Sequence, residues 1–416
     1  MVPNGWEKGI VDDIAKVTSG GTPSRKKDSY WNGHIPWVTT SEVKFGIITD
    51  TEQKITQEGL DNSSAKLFPE DTILMAMYGQ GKTRGQVAKL GIEASTNQAC
   101  AALLLHKEHN VDYYYQYLTS QYENIRELAN SGGQQNLSAG IIKDIYVPIP
   151  PLPEQRKIAQ ILSTWDCGIA TTEKLIDASK QQKKALMQQL LTGKKRLVDP
   201  ETGKAFEGDW EDTTFQSSGV KVTDGDRGKE YPKSTEFYSS EYCLFLSAKN
   251  VTKTGFKFET TQFIDKIKHN KLRKGIVSLG DLILTTRGSV GHFAFFDENV
   301  PYRIIRINSG MVTLTTNNQT VNSSFFYCLC RSNIIQYQID IAAFGSAQPQ
   351  LTISIINKLK FKLPLLVEQQ KIASVLTAAD KEIELLNAKL AHFKQEKKAL
   401  MQQLLTGKRR AQVEAA

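Results

Sequence analysis

Residues 183–194 read KKALMQQLLTGK, and the same twelve residues return at 397–408, 214 positions later. A fold for this chain must therefore use one unit twice. The same offset carries EQRKIA (154–159) onto EQQKIA (368–373), Gln134 onto Gln348, Leu137 onto Leu351 and Ile142 onto Ile356, without a gap. Upstream the offset shrinks. Asp71-Thr-Ile-Leu lies over Asp281-Leu-Ile-Leu at 210, Trp37-Val38 over Phe245-Leu246 at 208, and Gly5-Trp6-Glu7 over Asp209-Trp210-Glu211 at 204. Small insertions in the second copy, of the kind surface loops absorb, explain the drift. The 416 residues exceed what one core organises. The repeat then divides them into a diverged domain followed by a nearly identical segment, written twice.

The identical segments are expected to be long helices. Pro153 and Pro364 stand at their starts, where a missing amide costs nothing, and Gly193 and Gly407 stand where left-handed caps belong. About 38 residues between such signals give roughly 57 Å of helix. Steps of four and three run through Ile158, Leu162, Trp165, Ile169, Thr172, Ile176, Ser179, Lys183, Leu186 and Leu190. A matching series runs through Ile372, Leu376, Ala379, Ile383, Leu386, Leu390, Phe393, Lys397, Leu400 and Leu404. That spacing is a heptad seam. Two seam-bearing helices in one chain favour pairing with each other over packing separately on their own domains. Bulk is shared unevenly, since Trp165 corresponds to Ala379 and Ser179 to Phe393.

The diverged domains read as mixed. Short β-rich runs (Ile35-Pro-Trp-Val, Thr72-Ile-Leu-Met, Phe245-Leu, Leu282-Ile-Leu, Met311-Val-Thr-Leu) alternate with turn-rich stretches, and helical patches fall near 111–128 and 323–341. The expected fold class is α+β: two mixed α/β domains in tandem repeat, joined by two long helices that form an antiparallel coiled coil. The expected segments are a first domain at 1–151, a central helix at 152–193, a linker at 194–207, a second domain at 208–363, and a distal helix with tail at 364–416.

A net charge of +8 favours a polyanionic partner without requiring one. The five cysteines are odd in number and lack CxxC spacing, which argues against a disulfide framework or zinc site and suits a reducing compartment. No basic-then-apolar leader opens the sequence and no apolar run approaches the ~18 residues of a membrane span. The expectation is a cytoplasmic chain with no membrane contact.

Enzyme signatures are weak. AMYGQGKT (76–83) approaches the phosphate-loop pattern, but Ala76 replaces the first glycine and the following Arg84-Gly85-Gln-Val-Ala does not read as the required helix. His106 and His109 lack companions for a metal. Neither an NPPY- or DPPY-like tetrapeptide nor a PD…ExK pattern is present. No catalytic, cofactor or metal residues are expected in this chain.

SGGTPSR (19–25), YWNGHIPWVTTSEV (30–43), the glutamine-rich SGGQQNLS (131–138) and the PLPEQRKIAQIL entry into a long helix together resemble the specificity subunits of type I restriction–modification enzymes. The resemblance covers essentially the whole chain, and the domain–helix–domain–helix order is its most specific part. The second half departs from it: Val222-Thr-Asp-Gly replaces GGTP and YWNG has no counterpart. The resemblance implies two target-recognition domains, each binding half of a bipartite site in double-stranded DNA, with the helices as spacer. It also implies methyltransferase (modification) subunits and a restriction–translocase subunit as partners. S-adenosylmethionine and ATP with magnesium would belong to those partners. A free-standing bipartite regulator, or an enzyme hidden in the first domain, are the alternatives.

Residues identical in both halves cannot distinguish two different half-sites, so the shared glutamine turn (Gln134, Gln135, Asn136; Gln348, Gln350) is expected to support structure or touch backbone. The loops after the matched Asp-x-Ile-Leu strand diverge. They offer Tyr78, Gln80, Lys82 and Arg84 in the first half, and Arg287, Ser289 and His292 in the second, as donors for base edges or phosphates. A second loop pair offers Thr39, Thr40 and Lys44, with Lys249 and Asn250. The basic clusters late in the helices (Lys183, Lys184, Lys194, Lys195, Arg196; Lys397, Lys398, Lys408, Arg409, Arg410) have three readings: phosphate contact, complement to the helix dipole, or partner contact.

Overall fold

The first long helix spans Leu152–Leu190 and the second Leu366–Leu404, 39 residues each. In the computed structural model, which describes residues 2–79, 82–128, 136–343 and 350–413, the chain forms two units. One holds Met1–Lys174 with Asn387–Ala416, and the other holds Leu175–Leu386. Each helix is thus divided: its first half belongs with the domain before it, and its last half with the other domain.

In unit 1 a five-stranded sheet runs in the order Ala15–Ser19, Cys100–Leu105, Ile73–Ala76, Val87–Leu90, Ile47–Ile48, antiparallel except at its last pair. A four-stranded sheet orders Gln53–Ile55, Trp31–Val38, Ala94–Thr96, Leu67–Phe68. Glu7–Ile10 pairs with Tyr146–Ile149 just before the long helix begins. The core lies between the larger sheet, the helix Val111–Ser120 and the long-helix halves, with Ile73, Leu103, Tyr113, Ile158, Leu162, Leu404 and Leu405 all buried.

Unit 2 repeats this plan where the sequences no longer match. Its sheets run Lys221–Asp224, Met311–Thr315, Leu282–Thr285, Phe293–Phe295, and Phe263–Ile264, Cys243–Phe245, Ile305–Arg306, Ile276–Val277. Glu211–Thr214 pairs with Lys360–Leu363 as Glu7–Ile10 pairs with Tyr146–Ile149. Within the 194–207 linker, Val198 bridges to Ala205 and Phe206 is buried, while residues 200–205 are exposed. Leu197 packs on the unit 2 core.

The heptad seam is visible as burial. Every seam position from Ile158 to Leu190 and from Ile372 to Leu404 is buried or half-buried, while most of the positions between them are exposed. Within unit 1, Trp165 meets the Phe393 ring edge-on at 5.6 Å, and Lys397 Nζ reaches Asp166 at 2.6 Å. Within unit 2, Ser179 Oγ lies 3.4 Å from Glu382 and Lys183 pairs with Asp380. From Asp166–Lys397 to Glu173–Lys394 in unit 1, and from Ser179–Glu382 to Lys183–Asp380 in unit 2, rising numbers on the first helix meet falling numbers on the second, so the pairing is antiparallel. Lys183 and Lys397 hold seam positions because their stems pack while their ammonium groups reach an aspartate.

Candidate nucleic-acid interface

One polar clasp is built twice, and it fixes each domain to the helices. Glu154, in the first turn of the first helix, is 3% exposed. Its carboxylate accepts from Trp6 Nε1 at 2.9 Å, Arg410 Nε at 2.8 Å, Arg410 Nη2 at 2.7 Å and the Ala411 amide at 3.2 Å. In unit 2 Glu368, 1% exposed, accepts from Trp210 Nε1 at 3.1 Å, Arg196 Nε at 2.7 Å and Arg196 Nη2 at 2.8 Å. Burial works against the Glu154 charge, but the hydrogen bonds from Arg410 and Trp6 outweigh it and hold the carboxyl below its ordinary range. The next residue is equally matched: Gln155 Nε2 donates to Pro150 O and Gln369 Nε2 to Pro364 O, each at 2.8 Å. Pro150, not Pro153, is therefore the counterpart of Pro364; Pro153 sits inside the first turn. Arg196 and Arg410, grouped by sequence with the free basic clusters, are clasp residues. Lys184, Lys194, Lys195, Lys398, Lys408 and Arg409 remain exposed.

Of the motifs that carry the family resemblance in the first domain, Gly20, Gly21 and Trp37 are buried. Trp37 Nε1 donates to Gly21 O at 3.0 Å, Trp31 Nε1 to Ser24 O at 3.2 Å, and the Arg25 guanidinium lies 3.8 Å from the centre of the Trp31 ring. Gly20 is required because a Cβ there would stand 1.9 Å from the Thr96 carbonyl oxygen. Gly225 meets Asn308 O in the same way, at 2.2 Å. It is the counterpart that the altered Val222-Thr-Asp-Gly sequence concealed.

The loop pairs chosen for divergence come together in each unit. In unit 1 the Leu137 amide, beside the glutamine turn, donates to Met77 O at 3.0 Å, at the root of the 78–84 loop. Phe45 stacks edge-on with Tyr122 at 5.0 Å, and Tyr122 Oη donates to Lys82 O at 2.5 Å. Lys44 and Lys82 thus project from adjoining segments. Tyr78, Lys82 and Lys44 are exposed, Thr40 and Arg84 half-buried. Gln80, Gln134, Gln135 and Gln348 lie outside the described residues.

In unit 2 the Leu351 amide donates to Thr286 O at 3.1 Å, as Leu137 does to Met77. Gln350 faces Arg287, and with its oxygen turned inward accepts from Arg287 Nε at 3.2 Å and Nη2 at 2.9 Å. Arg287, Ser289 and Lys249 are exposed. His292 is half-buried with Nδ1 3.3 Å from Val251 O, which joins the two unit 2 loops.

Two candidates are bonded into their own turns. Asn250, 1% exposed, accepts at Oδ1 from the Ser247 amide and hydroxyl, and donates from Nδ2 to Lys257 O and Thr260 O. Thr39 donates to Glu42 Oε2 at 2.7 Å, and its amide donates to the same oxygen. Thr39–Glu42 and Ser247–Asn250 are equivalent capping turns after the matched strand.

The phosphate-loop reading of 76–83 does not survive the geometry, because Val87–Leu90 is a strand of the sheet and no helix follows the loop. Among the described residues no group of three or more His, Cys, Asp or Glu is placed to hold a metal. No helix is long and apolar enough to cross a membrane, again among the described residues.

Two diverged domains on a twice-built clasp and an antiparallel helix pair define a tandem reader of the specificity-subunit kind. The type I restriction modification DNA specificity domain matches residues 3–180 and again 211–395, and the chain belongs to that family. It is 26% identical over 421 residues to the type I restriction enzyme MjaVIII specificity subunit of Methanocaldococcus jannaschii, covering 98% of this chain and 93% of that one. The MjaIX specificity subunit of the same organism is 25% identical, with 99% and 95% covered. The fold is similar to that of the type I restriction–modification S subunit from M. genitalium, with TM-score 0.62, 16% identity, and 97% and 96% of the chains covered.

Proposed function

We propose that this chain is the non-catalytic DNA-recognition subunit of a type I restriction–modification complex. Each domain reads one half of a bipartite site, and the helices set the unread gap and dock methyltransferase subunits. The observation that carries the reading is the clasp. Glu154 with Arg410 and Trp6, and Glu368 with Arg196 and Trp210, join each diverged domain to both helices by the same bonds. A scaffold repeated down to single hydrogen bonds, under loops that differ, suits one way of holding DNA used for two sequences.

Helices fix spacing where a flexible linker would blur it. Two major-groove readers on one DNA face are separated by about 34–36 Å, one helical turn. Large apolar side chains left in water on the helices, Leu175 at 49% and Leu385 at 63% exposed, suit a protein partner there. Methyl transfer, with S-adenosylmethionine, and ATP-driven steps fall to partner subunits, and the work is cytoplasmic. A free-standing regulator gains no support, since the relatives matched over nearly their full length are specificity subunits. The test is reconstitution of DNA methylation from separately purified chain and methyltransferase subunit. Methyl incorporation is expected only with both; incorporation by the methyltransferase alone, with the same sequence preference, would refute the reading.

A further inference from the structure

Two charged side chains of unit 2 are buried away from the loops described above. Asp226, 7% exposed, accepts from the Gly228 amide at 2.8 Å and the Arg273 amide at 2.7 Å. Arg306, 2% exposed, donates to three carbonyls of one turn: His269 at 2.8 Å, Leu272 at 2.9 Å and Lys274 at 2.6 Å. Its Nε donates to His269 Nδ1 at 3.1 Å, and burial with the Arg306 charge holds that imidazole below its ordinary pKa, as an acceptor. A guanidinium buried among neutral acceptors is expensive. What it gains here is a fixed path for residues 269–274.

Outside these two anchors lies a row of arginines. Arg273 is exposed and lies across Gly228, where a Cβ would come within 3.0 Å of its Nη2. Arg227 is exposed and donates from Nη2 to Ser309 O at 3.2 Å. On the other flank of the same Asn308–Gly310 turn, the Thr286 amide donates to Gly310 O at 2.8 Å, and a Cβ at Gly310 would lie 3.7 Å from Arg287 Cβ. Arg273, Arg227 and Arg287 therefore border one turn in succession. Asp226 beneath them is engaged by backbone amides, and Asp224 is paired with Lys274 at 3.3 Å. Among the described residues of unit 1, the chain beyond Gly20 leads instead to Arg25 stacked on Trp31.

We propose that Arg227 and Arg273 form a phosphate clamp particular to unit 2, gripping the DNA backbone beside the Arg287 loop, with Asp226 and Arg306 as positioning residues. The clamp rests on the DNA-reading function proposed above. Guanidinium forks match phosphate oxygens two at a time, and such contacts set orientation without reading sequence.

The test uses the full chain with its methyltransferase subunit and a fluorescein-labelled duplex library of random sequence. Anisotropy over a salt series gives the slope, and sequencing of the bound fraction gives the motif. Arg227→Ala with Arg273→Ala should lower the slope of log K against log salt by about 2 and leave the enriched motif unchanged. Arg287→Ala should instead relax one half of the motif. Arg306→Lys keeps the charge but not the three-carbonyl grip, so it should lower the slope with the motif intact; Asp226→Asn is the second positioning variant, should Arg306→Lys not fold. An unchanged slope in the double variant overturns the clamp. So does a changed motif, which would make these base readers, or lost methyltransferase binding at an unchanged slope, which would make the surface a protein contact. A wild-type complex that enriches no motif sinks the DNA-reading function itself, and is distinguishable because it requires no variant.

Discussion

The two units agree at the clasp and differ in the seam. Unit 1 places both bulky seam residues together, Trp165 against Phe393, whereas the equivalent positions in unit 2 hold Ser179 and Ala379, both half-buried. The seam aspartates differ in company too. Asp166 takes Lys397 and Gln116 Nε2, each at 2.6 Å, while Asp380 takes Lys183 and, at 3.7 Å, Arg331. Packing along the seam has thus drifted between the copies, but the Trp–Glu–Arg geometry has not. The clasp is where the repeat demands identity, since each Glu must meet an arginine that follows the other helix.

The largest effect should come from unpairing a clasp. Glu368→Ala strands Arg196, whose side chain is 22% exposed, and should cost about 3 kcal/mol in urea unfolding. Glu154→Ala should cost less, because Arg410 is 44% exposed and recovers hydration. Equal losses would break the ranking. The seam comes next: Trp165→Ala should cost about 2 kcal/mol, and combining it with Phe393→Ala should cost less than the sum, as partners in contact do. Strict additivity would show that the two rings do not support each other.

The identical glycines sharpen the comparison further. Gly193 and Gly407 both adopt φ +70°, but a Cβ at Gly407 would stand 2.4 Å from Pro3 Cγ, whereas at Gly193 it would meet the Trp210 ring at 3.5 Å. Gly407→Ala should therefore cost about 2 kcal/mol and Gly193→Ala about 1 kcal/mol, the left-handed penalty alone. Thermal melts of the two variants decide it. The smallest effect is in acid. Glu154 is held below its ordinary pKa, so its contribution is present above the unfolded value and lost as pH falls through the folded one. Glu154→Gln should flatten the acid limb of stability against pH; an unaltered limb would mean the carboxylate contributes no proton linkage.

Much of the fold was legible because the repeat and the seam are linear signals. Trp6, Glu154 and their copies stood in matched motifs, and the seam residues were readable one by one. Arg196 and Arg410, read as phosphate, helix-dipole or partner contacts, were not legible as clasp residues because their partners lie 172 and 256 residues away. The reading surface was harder. Divergence pointed to Arg287 and Lys82, yet Asn250 and Thr39 shared a capping turn that differing residue types disguised. The arginines of the proposed clamp, Arg227, Arg273 and Arg306, were not legible because nothing in sequence brings residue 227 to 273, or 306 to the 269–274 turn. Gly225 next to an acidic–basic pair was the one local hint.

The central claim is that two readers share one ruler. It is tested most directly by sequencing methylated bases in cells that carry the methyltransferase subunit, with and without this chain. A split motif with an unread centre of fixed length, present only with the chain, is the predicted result. A motif read without interruption, or the same methylation without the chain, would contradict it.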